Sequence, residues 1–151
     1  MLIETGFAQI TQALLWPVLI LVALGFVYAL WTVGVTLMDA LLRRRGRRLL
    51  QPDADSLEQL ELQVLRQLEP TRLLGRVCPL LGLIATMVPL GPALQQVAAG
   101  QGHQALAVFG SAFSGVVLAM TAAAIALVVY SVRRRWLLAE LLDIKKERGW
   151  E

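Results

Sequence analysis

Two long stretches without any Asp, Glu, Lys or Arg constrain this chain more than any other feature. The first runs from Thr5 to Met38 (34 residues) and the second from Val77 to Val132 (56 residues). A helix of about 20 apolar residues crosses the hydrocarbon core of a bilayer, whereas the helices of soluble proteins carry polar residues on one face. The first stretch therefore predicts one transmembrane helix, and the second predicts two.

The second stretch is divided by the segment AAGQGHQA, residues 98–105. Gly100 and Gly102 flank a glutamine, and polar His103 and Gln104 follow, a composition that favours a turn. The chain is thus predicted to be a single all-α integral membrane domain. Its parts are transmembrane helices at about 10–38, 78–98 and 104–132, a cytoplasmic loop at 39–76, and a cytoplasmic tail at 133–151.

The orientation follows from the basic residues. All 14 Lys and Arg lie in the loop at 39–76 or in the tail. By the positive-inside rule these two segments are cytoplasmic, while the N-terminus and the short hairpin at 99–104 face outward. The first residues, MLIETGF, have no basic residue, so no cleavable signal peptide is expected. The prediction is a multi-pass protein of the cytoplasmic (inner) membrane, N-out and C-in, with helical extensions in the cytoplasm.

Arginine runs flank two of the predicted membrane helix ends. Because they lie beside a bilayer surface, they are expected to bind anionic lipid headgroups rather than nucleic acid. The candidate headgroup contacts are Arg43, Arg44, Arg45, Arg133, Arg134 and Arg135.

The cytoplasmic loop and tail each contain a helical apolar pattern. A short amphipathic helix is predicted after a cap at Asp55 or Ser56, with Leu60 and Val64 on its apolar face, ending near Glu69-Pro70. The tail is predicted to continue the third membrane helix. These two helices either pack against each other, which is favoured, or dock a cytoplasmic regulator.

Enzymatic chemistry finds no support in the residue types. One cysteine and one histidine do not make a metal cluster; Cys78 is interpreted as a packing residue and His103 as a solvated turn residue. No glycine-rich loop follows a strand and precedes a lysine. Neither an enzyme, nor a metal, nor a cofactor is predicted. No carboxylate lies in any predicted span, so the chain alone does not provide a complete proton pathway.

Small and hydroxyl-bearing residues mark the second and third spans. Thr86 is the one hydroxyl among the prolines and glycines of the second span. In the third, small residues recur at spacings of three and four. Either these residues let helices pack closely, or they line a pathway; from periodicity alone packing is favoured. The stripe comprises Gly110, Ser114, Val117, Thr121 and Ala124.

These segments resemble the ExbB/TolQ/MotA proton-channel family. PLLGLIATMVPLGPAL (79–94) is similar to the family's LGLxGT-type motif, ending at Thr86, with Ala85 where the family has glycine. AFSGVVLAMTAAAIALVVYSV (112–132) is similar in small-residue rhythm and in its tyrosine, Tyr130. The resemblance covers about residues 72–136 by motif and the whole chain by topology. Two departures are Val116, where the family has its pore-lining threonine, and Ala119, where it has glycine.

The resemblance implies a homo-oligomeric ring, typically a pentamer, around single membrane helices of an ExbD/TolR/MotB-like partner that brings the protonatable aspartate. It implies a stator subunit that couples the proton gradient to mechanical work or transport in the cell envelope. Ser114 or Thr121 is the candidate substitute for the missing threonine hydroxyl, although neither fits the ungapped register. The pathway candidates are Thr86, Ser114 and Thr121, and the helix-packing or partner-contact candidates are Gly82, Pro89, Gly91 and Gly110.

Two other functions stay open. A non-conducting membrane scaffold is favoured by Val116. A small-solute transporter subunit is favoured by the proline- and glycine-rich second span, since discontinuous helices expose backbone dipoles at the bilayer midplane, here at 89–92.

Overall fold

The computed structural model describes residues 1–50 and 56–150, and within them the chain forms three long helices without strands. The helices are α1 (Leu2–Arg44), α2 (Leu57–Ala98) and α3 (Gly102–Arg148). Each is long and apolar enough to cross a membrane. The prediction of an all-α protein with three membrane-crossing helices is therefore confirmed, and each helix extends beyond its predicted span.

The predicted helix boundaries are confirmed at two points. Ser56 caps α2, and its hydroxyl accepts a hydrogen bond from the Gln59 backbone N–H at 3.3 Å; Asp55 lies outside the described residues. Between α2 and α3 the chain turns at Gly100, whose φ of +78° lies in the left-handed region where glycine carries no steric penalty. The turn is short, so α2 and α3 form an antiparallel pair.

The predicted end of a separate cytoplasmic helix near Glu69-Pro70 is wrong. α2 continues through Pro70 into the membrane span without a break. A proline removes one backbone hydrogen bond and disfavours the helical conformation of the residue before it. Here the helix is held on both sides of the proline, because Leu68 and Thr71 are both buried. Consequently, most of the segment predicted as a cytoplasmic loop is helical.

In the membrane half, the helices meet through small residues. A Cβ built on Gly82 would lie 3.0 Å from the Ala119 Cβ, and one built on Gly25 would lie 3.0 Å from the Cys78 Sγ. A Cβ at this spacing would be closer than an ordinary van der Waals contact, so glycine at these positions allows the backbones to approach closely. Cys78 is fully buried there, as its interpretation as a packing residue requires.

In the half that bears the Lys and Arg residues, called here the cytoplasmic half after its predicted location, α2 and α3 enclose a conventional apolar core. This confirms that the two helical segments predicted to be cytoplasmic pack against each other. Tyr130 and Trp150 pack around its edge. The cytoplasmic core consists of Leu50, Leu60, Val64, Leu68, Leu137 and Ile144.

Polar contacts fasten the cytoplasmic ends of α1 and α3. At the membrane boundary, Arg133 donates to an Asp39 carboxylate oxygen at 3.0 Å. Further out, the buried Glu140 carboxylate accepts hydrogen bonds from the backbone N–H groups of Leu49 and Leu50 at 2.8 and 3.1 Å. These contacts fix the chain as it leaves α1.

Two arginines complete this fastening. Arg43 lies 3.9 Å from Glu140 and stacks over the Trp136 ring at 5.4 Å. Arg48 makes two hydrogen bonds to the Glu147 carboxylate, at 2.6 and 3.0 Å. The fork of the guanidinium matches a carboxylate in this two-pronged geometry.

Candidate pathway faces of the membrane helices

Thr86 lies half-buried at the edge of the contact between α2 and α3. The residue before it, Ala85, is fully buried against α3, and a Cβ on Gly82, one turn away, would lie 3.8 Å from the Val116 Cα. Val116, the position of the family's pore threonine, thus lies within about one helical turn of Thr86. Thr86 and Val116, the two positions that match the family's motif threonine and pore threonine, are therefore neighbours in space.

The Thr86 hydroxyl donates to the Leu83 carbonyl oxygen at 2.7 Å. A hydroxyl has one proton to donate and two lone pairs that accept. Back-bonding to its own helix occupies the donor and leaves the oxygen available as an acceptor. In apolar surroundings, such an oxygen can accept from a protonated carboxyl group or from water.

Ser114 and Thr121 are placed differently. Their hydroxyls donate to Ser111 and Val117 carbonyl oxygens of their own helix, each at 2.7 Å, and both residues are exposed. At about 100° per residue, they lie about 140–160° around α3 from Val116. Within one protomer the structure therefore does not bring them together with Thr86.

The predicted stripe on α3 is a real face of the helix. Its five members, from Gly110 to Ala124, are all exposed, and a Cβ on Gly110 would meet nothing within 4 Å. The face that packs on the rest of the chain is a different one, built from Ala119, Ala122 and Ala126 among others. The hydroxyl-bearing stripe is thus turned away from the protomer's own helices.

Of the other candidate contact residues, Gly82 is engaged within the chain, as described above. Gly91 has open space where a side chain would be, and it lines a cavity of about 360 Å³ between α1 and α2 together with Thr11 and Gln95. Pro89 is half-buried within α2. The helix is continuous through 89–92, so the unwound backbone that a broken-helix transporter site uses is not present there.

The arginines predicted to bind lipid headgroups divide into two groups. Arg133 and Arg43 are committed to contacts within the chain, with Asp39 and Glu140 respectively. The others are exposed: Arg44, Arg45, Arg134 and Arg135. Sequence reasoning missed the intramolecular pairs, although Asp39 and Arg133, the first charges after two apolar spans, are the signal that points to one of them.

No metal-binding arrangement occurs in the described residues: nowhere in 1–50 and 56–150 do three of His, Cys, Asp and Glu come together. His103 is exposed in the first turn of α3. A search of protein-family models, curated proteins and solved structures gives no match to this chain.

Proposed function

We propose that this chain is the ring-forming, channel-wall subunit of a proton-driven motor similar to the ExbB-ExbD and TolQ-TolR complexes. The observation that carries the proposal is the three-helix chain whose hydroxyl-bearing face on α3 is exposed along its length. Its α2 motif, ending at Thr86, adds the residue resemblance described above. Small and polar side chains are typical of interfaces between transmembrane helices, so this face is expected to pack against a neighbouring helix rather than against lipid.

The ring is proposed to be a homopentamer in the inner membrane, N-out and C-in, with α2 and α3 toward its centre. Thr86 of one copy lies on the α2 side that is free to face the centre. Ser114 and Thr121, on the far face of α3, then meet an adjacent copy or the partner rather than Thr86 of the same copy. In this arrangement each of the three hydroxyls faces either the centre of the ring or another chain.

The partner is proposed to be a single-span subunit of the ExbD/TolR/MotB type that carries a protonatable aspartate. This chain has no carboxylate in its spans, and a charge crossing hydrocarbon needs a titratable carrier. One elementary charge moving through 100 mV releases about 2.3 kcal/mol. In the proposed mechanism this energy moves the partner within the ring and drives transport or mechanical work in the envelope.

A non-conducting scaffold is the second candidate function, favoured by Val116, an apolar residue beside Thr86. Thr86→Val separates the two functions because it removes the hydroxyl and nearly preserves the volume. If Thr86 lines the pathway, the variant assembles with the partner but loses proton-gradient-dependent work, by about tenfold or more, since a lost hydrogen bond in an apolar setting costs about 1–3 kcal/mol.

The comparison sites are Thr121→Val and Ser114→Ala, which remove the hydroxyls of the other two pathway candidates from the far face of α3. Val116→Thr tests the family register, because a threonine there restores the polar residue beside Thr86. Assembly is measured by native mass spectrometry and work by a gradient-dependent assay in cells that express both subunits. Normal work by an assembled Thr86→Val complex establishes the scaffold instead.

A further inference from the structure

One arginine on α2, Arg76, lies at an unexpected depth, and Arg72 lies about one turn nearer the level of Arg134, with which it lines a groove. Arg76 follows Gly75, where a Cβ would lie 3.2 Å from Leu127 of α3. Arg133, the first charge at the cytoplasmic end of α3, lies six residues beyond Leu127, or about 9 Å along the helix. Arg76 is therefore displaced toward the membrane by about that distance.

The packing of α2 against α1 also places Arg76 on the membrane side of the first charges. Gly25 packs against Leu74 and Cys78, which flank Arg76 in sequence. Fourteen residues, or about 21 Å, separate Gly25 from Asp39, the first charge after the α1 span. By both measures, Arg76 lies on the membrane side of the Asp39–Arg133 pair.

The outer surface of α1 at this depth carries no charge and is mostly apolar, with Tyr28 as its one exposed hydroxyl. Val27, Leu30 and Trp31 are exposed there, as is suited to lipid. Arg72 and Arg76 are also exposed, and in the described part of the chain neither forms an ion pair. An unpaired guanidinium facing hydrocarbon is strongly disfavoured. The α2 face and the α1 face, at one depth, therefore require different surroundings.

The arginine face of α2 is continuous with Thr86. Arg72 and Thr86 are fourteen residues apart, which returns the helix to within about 40° of the same direction. Along the axis Arg76 lies between them, about 15 Å from Thr86 on the cytoplasmic side and about 80° around the helix from it. Arg72 also lines a groove of about 720 Å³ between α2 and α3, where Arg66 and Arg134 outnumber the single acid, Glu69.

We propose that the α2 face bearing Arg72 and Arg76 is the wall of a water-filled, positively charged vestibule, enclosed by further copies of this chain, which leads from Thr86 to the cytoplasm and excludes metal cations. Water solvates the guanidinium groups that lipid does not. A positively charged vestibule repels Na⁺, K⁺ and H₃O⁺ alike and concentrates anions. Protons therefore leave it bound to buffer anions, a route that metal ions do not have. The cation exclusion and the enclosure by further copies rest on the proposed function, whereas contact of the Arg76 position with water does not.

Cysteine labelling tests the wall directly. Arg76→Cys is made in a Cys78→Ala background and treated in inverted vesicles with membrane-impermeant methanethiosulfonates, one anionic and one cationic. The matched control is Val27→Cys, exposed at a similar depth on α1. Because a cysteine lacks the reach of arginine toward the headgroups, its reaction reports water at the backbone position itself.

Arg76→Cys is expected to react and Val27→Cys to stay unmodified. After correction for the reagents' intrinsic rates, the anionic reagent is expected to react about tenfold faster than the cationic one. Adding Arg72→Gln should bring the two rates together. An Arg76→Cys as unreactive as Val27→Cys places this face in lipid and overturns the vestibule; equal rates for both reagents overturn its positive charge.

The second measurement concerns selectivity. The complex with the partner subunit, reconstituted in liposomes with the double variant Arg72→Gln and Arg76→Gln, is expected to admit Na⁺ about tenfold faster than the unmodified complex, with protons still conducted. Unchanged Na⁺ exclusion overturns the filter role. If Arg76→Cys reacts as expected but the complex conducts no protons, the vestibule stands and the proposed function is refuted.

Discussion

The membrane half and the cytoplasmic half of this protein are held together by different means. In the membrane half, the buried contacts are made by small residues such as Gly82 against Ala119, while large side chains cover the outside. In the cytoplasmic half, large side chains such as Leu60 and Leu137 are inside, and charges surround them. The same two continuous helices, α2 and α3, pack through small residues in one half and through large apolar side chains in the other.

The solvent explains the difference. In water, burying leucine removes apolar area from contact with water and stabilises the fold by about 25 cal/mol per Å². In lipid the surroundings are as apolar as leucine, so close van der Waals packing between backbones is the main attraction available. In the cytoplasmic half, shortening a buried side chain should therefore destabilise the fold most. In the membrane half, enlarging a buried small residue should destabilise it most.

The largest expected effect is Leu137→Ala in the cytoplasmic core. Leu137 is 0% exposed, and its truncation leaves a cavity that should lower the free energy of unfolding of this half by about 2–5 kcal/mol. Leu142→Ala, at a residue that is 65% exposed on the same helix, should change it by less than about 0.5 kcal/mol. Limited proteolysis across 45–70 and 133–150 measures the loss. Equal resistance of the two variants contradicts the assigned core.

Gly82→Val makes the opposite change in the membrane half. The new side chain would collide with Ala119, so the variant should lose about 1–3 kcal/mol of stability by forcing α2 and α3 apart. Gly110→Val is the control, because that position has open space. Thermal unfolding in detergent followed by circular dichroism should separate them. If Gly110→Val is as destabilising to the isolated protomer, close packing at Gly82 is not the cause.

A smaller effect is expected for Glu140→Gln. The amide oxygen can still accept from Leu49 and Leu50, but the charge that faces Arg43 is lost, which should cost about 1 kcal/mol. Asp143→Asn, exposed on the next turn, is the control. Amide hydrogen exchange at Leu49 and Leu50 should quicken only in the first variant. Unchanged protection there means that the carboxylate charge is unimportant to this contact.

The smallest effect concerns acid. The hydrogen bonds from Arg48, and then its charge, lower the pKa of the Glu147 carboxyl from its usual value of 4.5. A lowered pKa means that the stabilisation is complete above pH 4.5 and is lost as the pH falls through the folded-state pKa below it. The pair is exposed, so its contribution is small.

Carbon-13 NMR of Glu147 measures this prediction. The titration midpoint should lie below that of the Arg48→Gln variant, and the small difference in thermal midpoint between the two proteins at about pH 6 should shrink as the pH falls below the usual carboxyl value of 4.5. Coincident titration curves would show that the two hydrogen bonds do not persist in solution.

The sequence predicted those parts of the fold that depend on local pattern. The three apolar helices, the turn at Gly100, the Ser56 cap and the apolar stripe with Leu60 and Val64 follow from composition and spacing alone. Pro70 misled the prediction because a proline's local preference is overcome when residues on both sides of it are buried.

Contacts that depend on how the helices are aligned could not be predicted. The Glu140 contact with the backbone at Leu49 joins residues about 90 positions apart, and nothing in either segment specifies that alignment. The same holds for the candidate site. Spacing placed Ser114 and Thr121 on one stripe, as the structure has them, but only the α2–α3 contact shows that Thr86 and Val116 lie on another side.

The four prolines inside α2 have a mechanical consequence, because α3 has none. α3 spans 47 residues, about 70 Å, with an unbroken ladder of backbone hydrogen bonds, so it behaves as a stiff strut through the bilayer. A tilt of about 5° about its middle displaces each end by about 3 Å. α2, which lacks a donor at each proline, is the compliant member of the pair and can bend where α3 swings. A force applied at the membrane end of this hairpin is thus transmitted along α3, while α2 bends to accommodate the movement.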